Sequence, residues 1–332
     1  MAPETRLVRT PVLEIAYEAH GDAPDTPIIL LHGFPDDARA WDGVAPALAA
    51  AGHRVLVPYL RGYGPTRFLD PAAPRMAQQA AIGQDLLDFM EALALPRVAL
   101  AGYDWGGRAA CIAAIMAPER VRALVTIGGY NVQNTLAPSP PASAAEERAS
   151  WYQWYFNTER GRRGLEQNRR EICRFLWQTW SPTWRFDDAT WDRTAPSFDN
   201  PDFVEVVIHS YRHRHGNAPG EPRFDAMERR LAERPPITVP SVALWERGRG
   251  RSRAPVGAPD VAVSRGHGAP GRARGRPFHA ARAAGRGRGG DAGAAGEIQV
   301  DLGRRPRRPA RRRHDHLRGQ DRDGPWRRAR SS

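Results

Sequence analysis

The alternation of short apolar runs with helical patterns constrains the fold of this chain more than any other feature. Four runs of mostly apolar residues have the length of buried strands. They occupy residues 28–31, 54–58, 97–102 and 123–127. Between them, apolar side chains recur at helical spacing over 83–95 and 108–116. This β-α-β order predicts an α/β fold whose doubly wound parallel sheet has helices on both faces.

The pattern changes at Leu136, and it divides the chain into parts. A Pro/Ser/Ala-rich linker precedes residues 151–211, a helical stretch that holds six of the ten tryptophans. Residues 237–245 then have the alternation of a further strand. We therefore predict a core over 1–135, an inserted helical cap with its linker over 136–235, and a return strand over 236–246.

Residues 247–332 have a composition unlike the rest of the chain. From residue 246 onward there are 23 arginines but only one isoleucine, two leucines and one phenylalanine. Such a segment buries too little apolar surface to become ordered, so we predict a disordered tail. It is interpreted either as an Arg/Gly-rich RNA-binding tail or as a GC-rich gene translated in the wrong frame.

The second interpretation is the one we predict, with the frameshift near codon 246. DNA that encodes residues 271–281 with permitted codons can be read one nucleotide later as Val-Val-Pro-Gly-Ala-Gly-His-Phe-Met-Pro. That string has the pattern of a strand followed by a histidine turn.

The net charge of +12 does not describe the body of the chain. Residues 1–245 hold 26 arginines and 29 acidic residues, so a nucleic-acid partner is not expected unless the basic tail is genuine. The first residues do not show a charged stretch followed by an apolar one, and no run approaches eighteen apolar residues, so we expect a cytoplasmic protein without a membrane partner. Cys111 and Cys173 lack metal-ligand spacing and are expected in the core, so neither a metal nor a cofactor is predicted.

The first motif that indicates a catalytic site is the segment Gly102-Tyr103-Asp104-Trp105-Gly106-Gly107. Its glycines permit a sharp turn from strand to helix that presents one side chain above the sheet, which is the pattern of a nucleophile elbow with Asp104 as the nucleophile. The helix that follows directs its N-terminus at this carboxylate and favours its ionised form. Alternatively, Asp104 only caps the helix.

The segment His32-Gly33-Phe34-Pro35, at the end of an earlier strand, accompanies this elbow. Together the two motifs resemble α/β-hydrolases of the epoxide hydrolase and haloalkane dehalogenase branch, over residues 11–245. The resemblance implies an oxyanion hole made by the backbone N–H groups of Phe34 and Trp105. It also implies that His32, Gly33 and Pro35 form the loop, with His32 organising it rather than acting as the base.

In the branch that this chain resembles, the aspartate attacks an sp3 carbon, and water activated by a histidine hydrolyses the resulting ester. An epoxide oxygen needs a proton from cap tyrosines, whereas a halide needs N–H donors. Tyr211 most closely resembles the epoxide hydrolase cap tyrosine, and Tyr152 or Tyr155 is its candidate partner, although all three could be packing aromatics. Trp105 follows the nucleophile in both classes and does not discriminate between them, but fluoroacetate dehalogenases have arginine at this position, which favours an epoxide. The expected partner is therefore a small apolar epoxide or halide substrate. The remaining tryptophans of the helical stretch are expected in the core. They are Trp151, Trp154, Trp177, Trp180, Trp184 and Trp191.

The catalytic histidine and its acid are not assigned to any residue. The resemblance implies an acidic turn and a Gly-x-Gly-His turn after the return strand, and neither is present. His267 follows too closely to match. We therefore predict an epoxide hydrolase-like enzyme that is impaired in this form, being either poorly soluble or inactive. Haloalkane dehalogenase activity is the alternative within enzymes, and an inactive scaffold with an RNA-binding tail is the alternative outside them.

Overall fold

The computed structural model describes residues 4–137 and 140–244, together with the backbone of 261–264. The strands are β1 Thr5–Arg9, β2 Leu13–His20, β3 Ile28–Leu31, β4 Val55–Pro58, β5 Arg67–Phe68, β6 Val98–Tyr103, β7 Val121–Ile127, β8 Ser241–Leu244 and β9 Val261–Ser264. The helices are α1 Ala45–Ala50, α2 Gln79–Ala92, α3 Asp104–Met116, α4 Ala144–Ala149, α5 Trp151–Phe156, α6 Glu159–Trp180, α7 Asp188–Thr194, α8 Phe203–Arg214 and α9 Asp225–Ala232.

One mixed, mostly parallel sheet contains all of these strands. Its order is β1-β2-β4-β3-β6-β7-β8-β9, and β5 pairs with β2. The five central strands, β4, β3, β6, β7 and β8 in spatial order, are parallel to one another, as the β-α-β alternation predicts. In contrast, β1, β2, β5 and β9 pair antiparallel. The parallel sheet is thus the centre of the structure. Antiparallel strands extend it at both edges; the alternation over residues 11–19 predicts a strand there, which is β2, but not its antiparallel pairing.

Helices α2 and α3 pack closely because a glycine stands at their contact. A Cβ atom on Gly83 of α2 would lie 2.4 Å from Cγ2 of Ile112 on α3. Ile112 is fully buried. The close approach brings α3, which begins at the end of β6, firmly against the core.

A helical segment, α4 to α9, lies between β7 and β8. Its first helix begins with a capping box, in which Ser143 and Glu146 satisfy each other's backbone N–H groups. The long helix α6 has a break at Asn168, where φ is −124° and ψ is 27°. The range that we predict for the cap, 136–235, contains all six helices.

The helical segment is joined to the loops that follow β3 and β4. The indole N–H of Trp177 donates to the Pro35 carbonyl oxygen at 2.8 Å, and the Thr194 hydroxyl donates to Asp37 at 3.1 Å. The Asn200 amide donates to the Thr66 carbonyl oxygen at 2.7 Å. Because these loops leave the carboxyl ends of parallel strands, the helical segment covers that edge of the sheet.

Several predictions concern residues outside this description. Residues 245 and 246 of the return strand lie outside it, and so does the tail 247–332 apart from the backbone of 261–264. The predictions of disorder, RNA binding and a frameshift therefore stay predictions. Cys111 and Cys173 are both buried free thiols. None of the helices in the described ranges combines the length and apolar character that crossing a bilayer requires.

Candidate active site

The nucleophile elbow is an abrupt junction between β6 and α3. The strand ends at Tyr103 and the helix begins at Asp104, with no residue between them. Asp104 has a φ of +48°, in the left-handed region that L-residues seldom adopt. A Cβ atom on Gly106 would lie 2.3 Å from the His32 carbonyl oxygen, and one on Gly102 would lie 2.7 Å from the Gly106 backbone. Only glycine fits at both positions, which is why the turn can be this sharp.

The loop after β3 lies directly against the Asp104 side chain. The backbone N–H of Phe34 donates to Oδ1 of Asp104 at 2.9 Å. A Cβ atom on Gly33 would lie 2.5 Å from Cβ of Asp104, so glycine is needed for this approach. The N–H of Trp105 belongs to the first turn of α3, where backbone N–H groups have no partner within the helix. One carboxylate oxygen is thus held by the loop where the sequence motifs place an oxyanion hole.

His32 stabilises this loop through both ring nitrogens. The backbone N–H of Leu60 donates to Nε2 at 3.0 Å, and Nδ1 lies 3.1 Å from the Gly33 carbonyl oxygen. Burial lowers the pKa of His32 to about 4, so the ring is neutral at neutral pH, and these contacts require the proton on Nδ1. Neither nitrogen is left to accept a proton from water.

Tyr152 on α5 and Tyr211 on α8 lie together above the elbow. Their ring centroids are 5.4 Å apart, and the Tyr211 ring lies 5.5 Å from Phe34 and 6.0 Å from Trp105. Burial raises the pKa of both phenols. The Gln153 amide donates to Oη of Tyr152 at 3.0 Å, which leaves the phenol's own proton free to be donated. The pair can therefore supply a proton beside the carboxylate at neutral pH.

Tyr155, the other candidate partner, is not brought to this pair. A Cβ atom on Gly164 would lie 1.9 Å from Oη of Tyr155, and one on Gly161 would lie 1.7 Å from its carbonyl oxygen. The two glycines leave a space on α6 that the Tyr155 ring enters, and the ring also contacts Trp151 at 5.7 Å. The Tyr155 side chain thus packs within the helical segment, against α6.

Sequence reasoning missed Tyr63, which follows β4. It lies between Gly62 and Gly64, which have φ values of +78° and +49°. Its side chain is fully buried, with its ring 6.1 Å from Trp105 and 4.9 Å from His32. A tyrosine between two glycines at the carboxyl end of a strand is a signal that could have revealed it.

Two arginines beside the tyrosine pair were also missed. The guanidinium carbon of Arg214 lies 4.9 Å from the Tyr211 ring centroid. Arg108 is buried on α3, and its Nε donates to the Asn131 carbonyl oxygen at 3.1 Å. Burial, followed by the charge of Arg214, lowers the pKa of Arg108 to about 10. Their spacing is the signal that could have revealed them. Arg108 follows Asp104 by four positions and Arg214 follows Tyr211 by three, so each arginine lies on the same helix face as the earlier residue.

Most tryptophans of the helical segment are packing residues, but Trp154, which we predict in the core, is 44% exposed. Trp177 contacts Trp184 at 5.2 Å and Trp191 at 5.1 Å, whereas Trp180 packs on Tyr152 at 4.9 Å. The indole N–H of Trp105 is buried and has no hydrogen-bond partner among the described residues. It is a donor within the candidate site.

Comparisons with known proteins agree with this geometry. A family model for the alpha/beta hydrolase fold matches residues 26–211, more than half of the chain. Epoxide hydrolase 3 of Siraitia grosvenorii is 36% identical over 100 residues, 30% of this chain and 31% of that protein. Epoxide hydrolase A of Mycobacterium tuberculosis is 31% identical over 147 residues, 44% of each protein. The matches thus span less than half the length of these curated relatives.

A solved structure covers more of the chain. The crystal structure of a protein assigned as an epoxide hydrolase from Klebsiella pneumoniae is 44% identical, with a TM-score of 0.72. The match covers 73% of this chain and 80% of that one.

Proposed function

The chain belongs to the α/β-hydrolase fold family and is an epoxide hydrolase-like member of it, and from this premise we propose that Asp104 opens small epoxides. One observation carries the proposal. The Asp104 carboxylate accepts a hydrogen bond from the Phe34 backbone N–H and lies beneath two buried phenols, Tyr152 and Tyr211. A nucleophile and a proton source thus face one another, as ring opening requires.

The first step forms an ester on Asp104. The N-terminus of α3 and the Phe34 N–H favour a negative charge on the carboxylate. While Oδ1 of Asp104 keeps its hydrogen bond to the Phe34 N–H, the other carboxylate oxygen attacks an epoxide carbon, and the C–O bond of the ring breaks. The phenol of Tyr152 or Tyr211 then gives its proton to the departing oxygen. The product is an alkyl-enzyme ester with a free hydroxyl group and one tyrosinate.

The walls of the site favour an apolar substrate. The ring centroids of Phe156, Trp180 and Phe203 all lie within 6.5 Å of the Phe34 centroid. These side chains are almost completely buried. A small hydrocarbon epoxide would bury its carbon skeleton among them while its oxygen meets the phenols.

The second step, hydrolysis of the ester to a diol, needs a base. His32 is unsuited, because both of its ring nitrogens are engaged with the backbone. His267 lies outside the described residues. We infer that this form is impaired in this step, so that the ester accumulates on Asp104 instead of turning over.

The test is to incubate the full chain with styrene oxide and to follow the intact mass, the peptide that carries the adduct, and the diol. We expect one styrene oxide equivalent on the peptide that contains Asp104, because the first step does not need the missing base. In Asp104→Ala the adduct should disappear, whereas in Asp25→Ala, a change at an exposed aspartate, it should remain. An adduct that persists in Asp104→Ala would overturn the proposal.

A haloalkane dehalogenase is the second candidate, favoured by the buried indole N–H of Trp105 that lacks a partner among the described residues. An indole can stabilise a departing halide without giving up a proton. The same mass assay with 1-bromobutane, together with measured bromide release, separates the two functions. Faster esterification by 1-bromobutane than by styrene oxide, lost in Trp105→Phe, would favour the dehalogenase.

A further inference from the structure

Arg214 lies behind the tyrosine pair without an acidic partner. In the part of the chain that the structure describes, neither Arg214 nor Arg108 has a carboxylate within ion-pair distance. Nη1 of Arg214 lies 3.4 Å from Oε1 of Gln153, and Nη2 is buried with no hydrogen-bond partner among the described residues. The Arg214 side chain as a whole is only partly buried, but a cationic N–H group shielded from water without a partner is costly. Its position is explained if a negative charge arises beside it during the reaction.

The proposed ring opening creates such a charge. Before the reaction the negative charge is on Asp104, and ester formation removes it from there. The electron pair of the broken C–O bond stays on the epoxide oxygen, which takes a proton from a phenol. The charge therefore ends as a tyrosinate on Tyr152 or Tyr211, next to the guanidinium of Arg214.

We propose that Arg214, assisted by Arg108, is a positioning residue that stabilises the tyrosinate formed when the tyrosine pair protonates the epoxide oxygen. This inference rests on the proposed function. Arg214 lies over the ring of Tyr211, and Gln153 connects it to Tyr152 by accepting from Arg214 and donating to the phenol. One cation thus reaches both phenols.

Other charged and titratable groups also face the pair. Asp104 and Arg108 face it from α3, and Tyr63 faces it from the loop after β4. Asp104 opposes a tyrosinate until it is esterified, and Tyr63 is neutral because burial raises its pKa well above the usual value. Burial raises the pKa of both phenols, and the charge of Arg214 opposes that rise at each of them.

Arg212 provides a matched control on the same helix. Its Nε and Nη2 donate to the carbonyl oxygens of Phe156 and Thr158, both at 3.3 Å. It therefore ties α8 to neighbouring helices without lying over a phenol. Arg212→Met should lower stability while leaving the electrostatics of the tyrosine pair unchanged.

The experiment measures the rate and final extent of Asp104 esterification by intact mass in the full chain. It compares Arg214→Met, Arg214→Lys and Arg212→Met, with propylene oxide and 3,3,3-trifluoro-1,2-epoxypropane as probes. The alkoxide of the trifluoro compound is less basic, so less charge passes to the tyrosines in its transition state.

In Arg214→Met we expect an about tenfold slower rate with propylene oxide and an about threefold or smaller loss with the trifluoro probe. The final extent should stay the same, because the folded fraction is unchanged. Arg214→Lys should recover most of the rate because it keeps the charge, and Arg212→Met should slow both probes by equal factors, if at all.

Equal losses with the two probes in Arg214→Met, or no recovery in Arg214→Lys, would overturn the inference while Asp104 esterification still supports the proposed function. A wild-type chain that is never esterified on Asp104 would overturn both.

Discussion

The buried carboxyl group of Asp37, in the loop after β3, is expected to make the free energy of unfolding depend on pH. Asp37 is almost completely buried, and its Oδ1 accepts hydrogen bonds from the Arg39 N–H and the Thr194 hydroxyl. Burial raises the pKa of Asp37 to about 7, whereas an unfolded aspartate titrates near pH ~4. Between these values the folded state binds more protons than the unfolded state.

Asp37 is therefore predicted to cost stability as the pH rises from about 4 to about 7, with a slope of at most ~1.4 kcal/mol per pH unit. Asp37→Asn keeps an acceptor oxygen but cannot ionise, so it should flatten this slope and be the more stable protein at pH 8. Urea unfolding at pH 4 to 8 measures the effect. The exposed change Asp25→Asn serves as the control, and an unchanged slope in Asp37→Asn would contradict the assignment.

At the scale of the elements, the position of Asp104 depends on how closely α2 and α3 pack. Gly83→Ala would place its new methyl group 2.4 Å from Cγ2 of Ile112, so a side chain or a helix must move. We expect destabilisation of about 1–3 kcal/mol from this overlap, even though alanine favours the helix by about 1 kcal/mol.

A double-mutant cycle with Ile112→Ala tests the cause. Ile112→Ala alone should cost about 2–5 kcal/mol, but it also removes Cγ2 and Cδ1 and leaves only Cβ, at 2.8 Å from the new methyl group. The double variant should therefore lose less stability than the sum of the two single losses, as measured by urea unfolding. Strictly additive losses would show that the two side chains do not meet.

Local motifs predict the core elements well because their information lies within a few neighbouring residues. The glycines around Asp104 and the loop at His32 are readable in this way. The antiparallel pairing of β1 and β2 is not, because alternation shows that a strand exists but not which partner it has.

Contacts across elements were harder to predict. Three positions separate Tyr152 from Tyr155 on one short helix, yet only Tyr152 meets Tyr211. The difference arises from the space that Gly161 and Gly164 leave on α6, a separate helix. The link from Arg214 to Tyr152 through Gln153 likewise connects α8 with α5. It can be recognised only in the folded structure.

For the whole molecule, we expect ester formation on Asp104 to proceed without the hydrolysis of the ester that should follow it. The described residues contain the groups that we propose for ester formation but no assigned base for its hydrolysis. We predict that DNA with the adjacent frame restored near codon 246 encodes a chain that converts styrene oxide to the diol repeatedly. The chain as printed should retain the ester.

Resequencing the DNA for residues 236–300 and comparing both chains by diol release and adduct lifetime provides the measurement. Asp104→Ala in the restored chain is the control, since it should release no diol. Many turnovers by the printed chain would contradict the prediction and would require a base within it.

The joining of the helical segment to the core has a consequence for how such an enzyme can diversify. In the proposed ring opening, the attacking carboxylate comes from a strand end of the core, whereas the phenols beside the departing oxygen come from the inserted helices. Changes within the insertion would therefore alter how the departing oxygen is protonated while the attacking carboxylate stays intact. Mutations in the insertion and mutations in the core can thus change the two ends of the reacting bond independently.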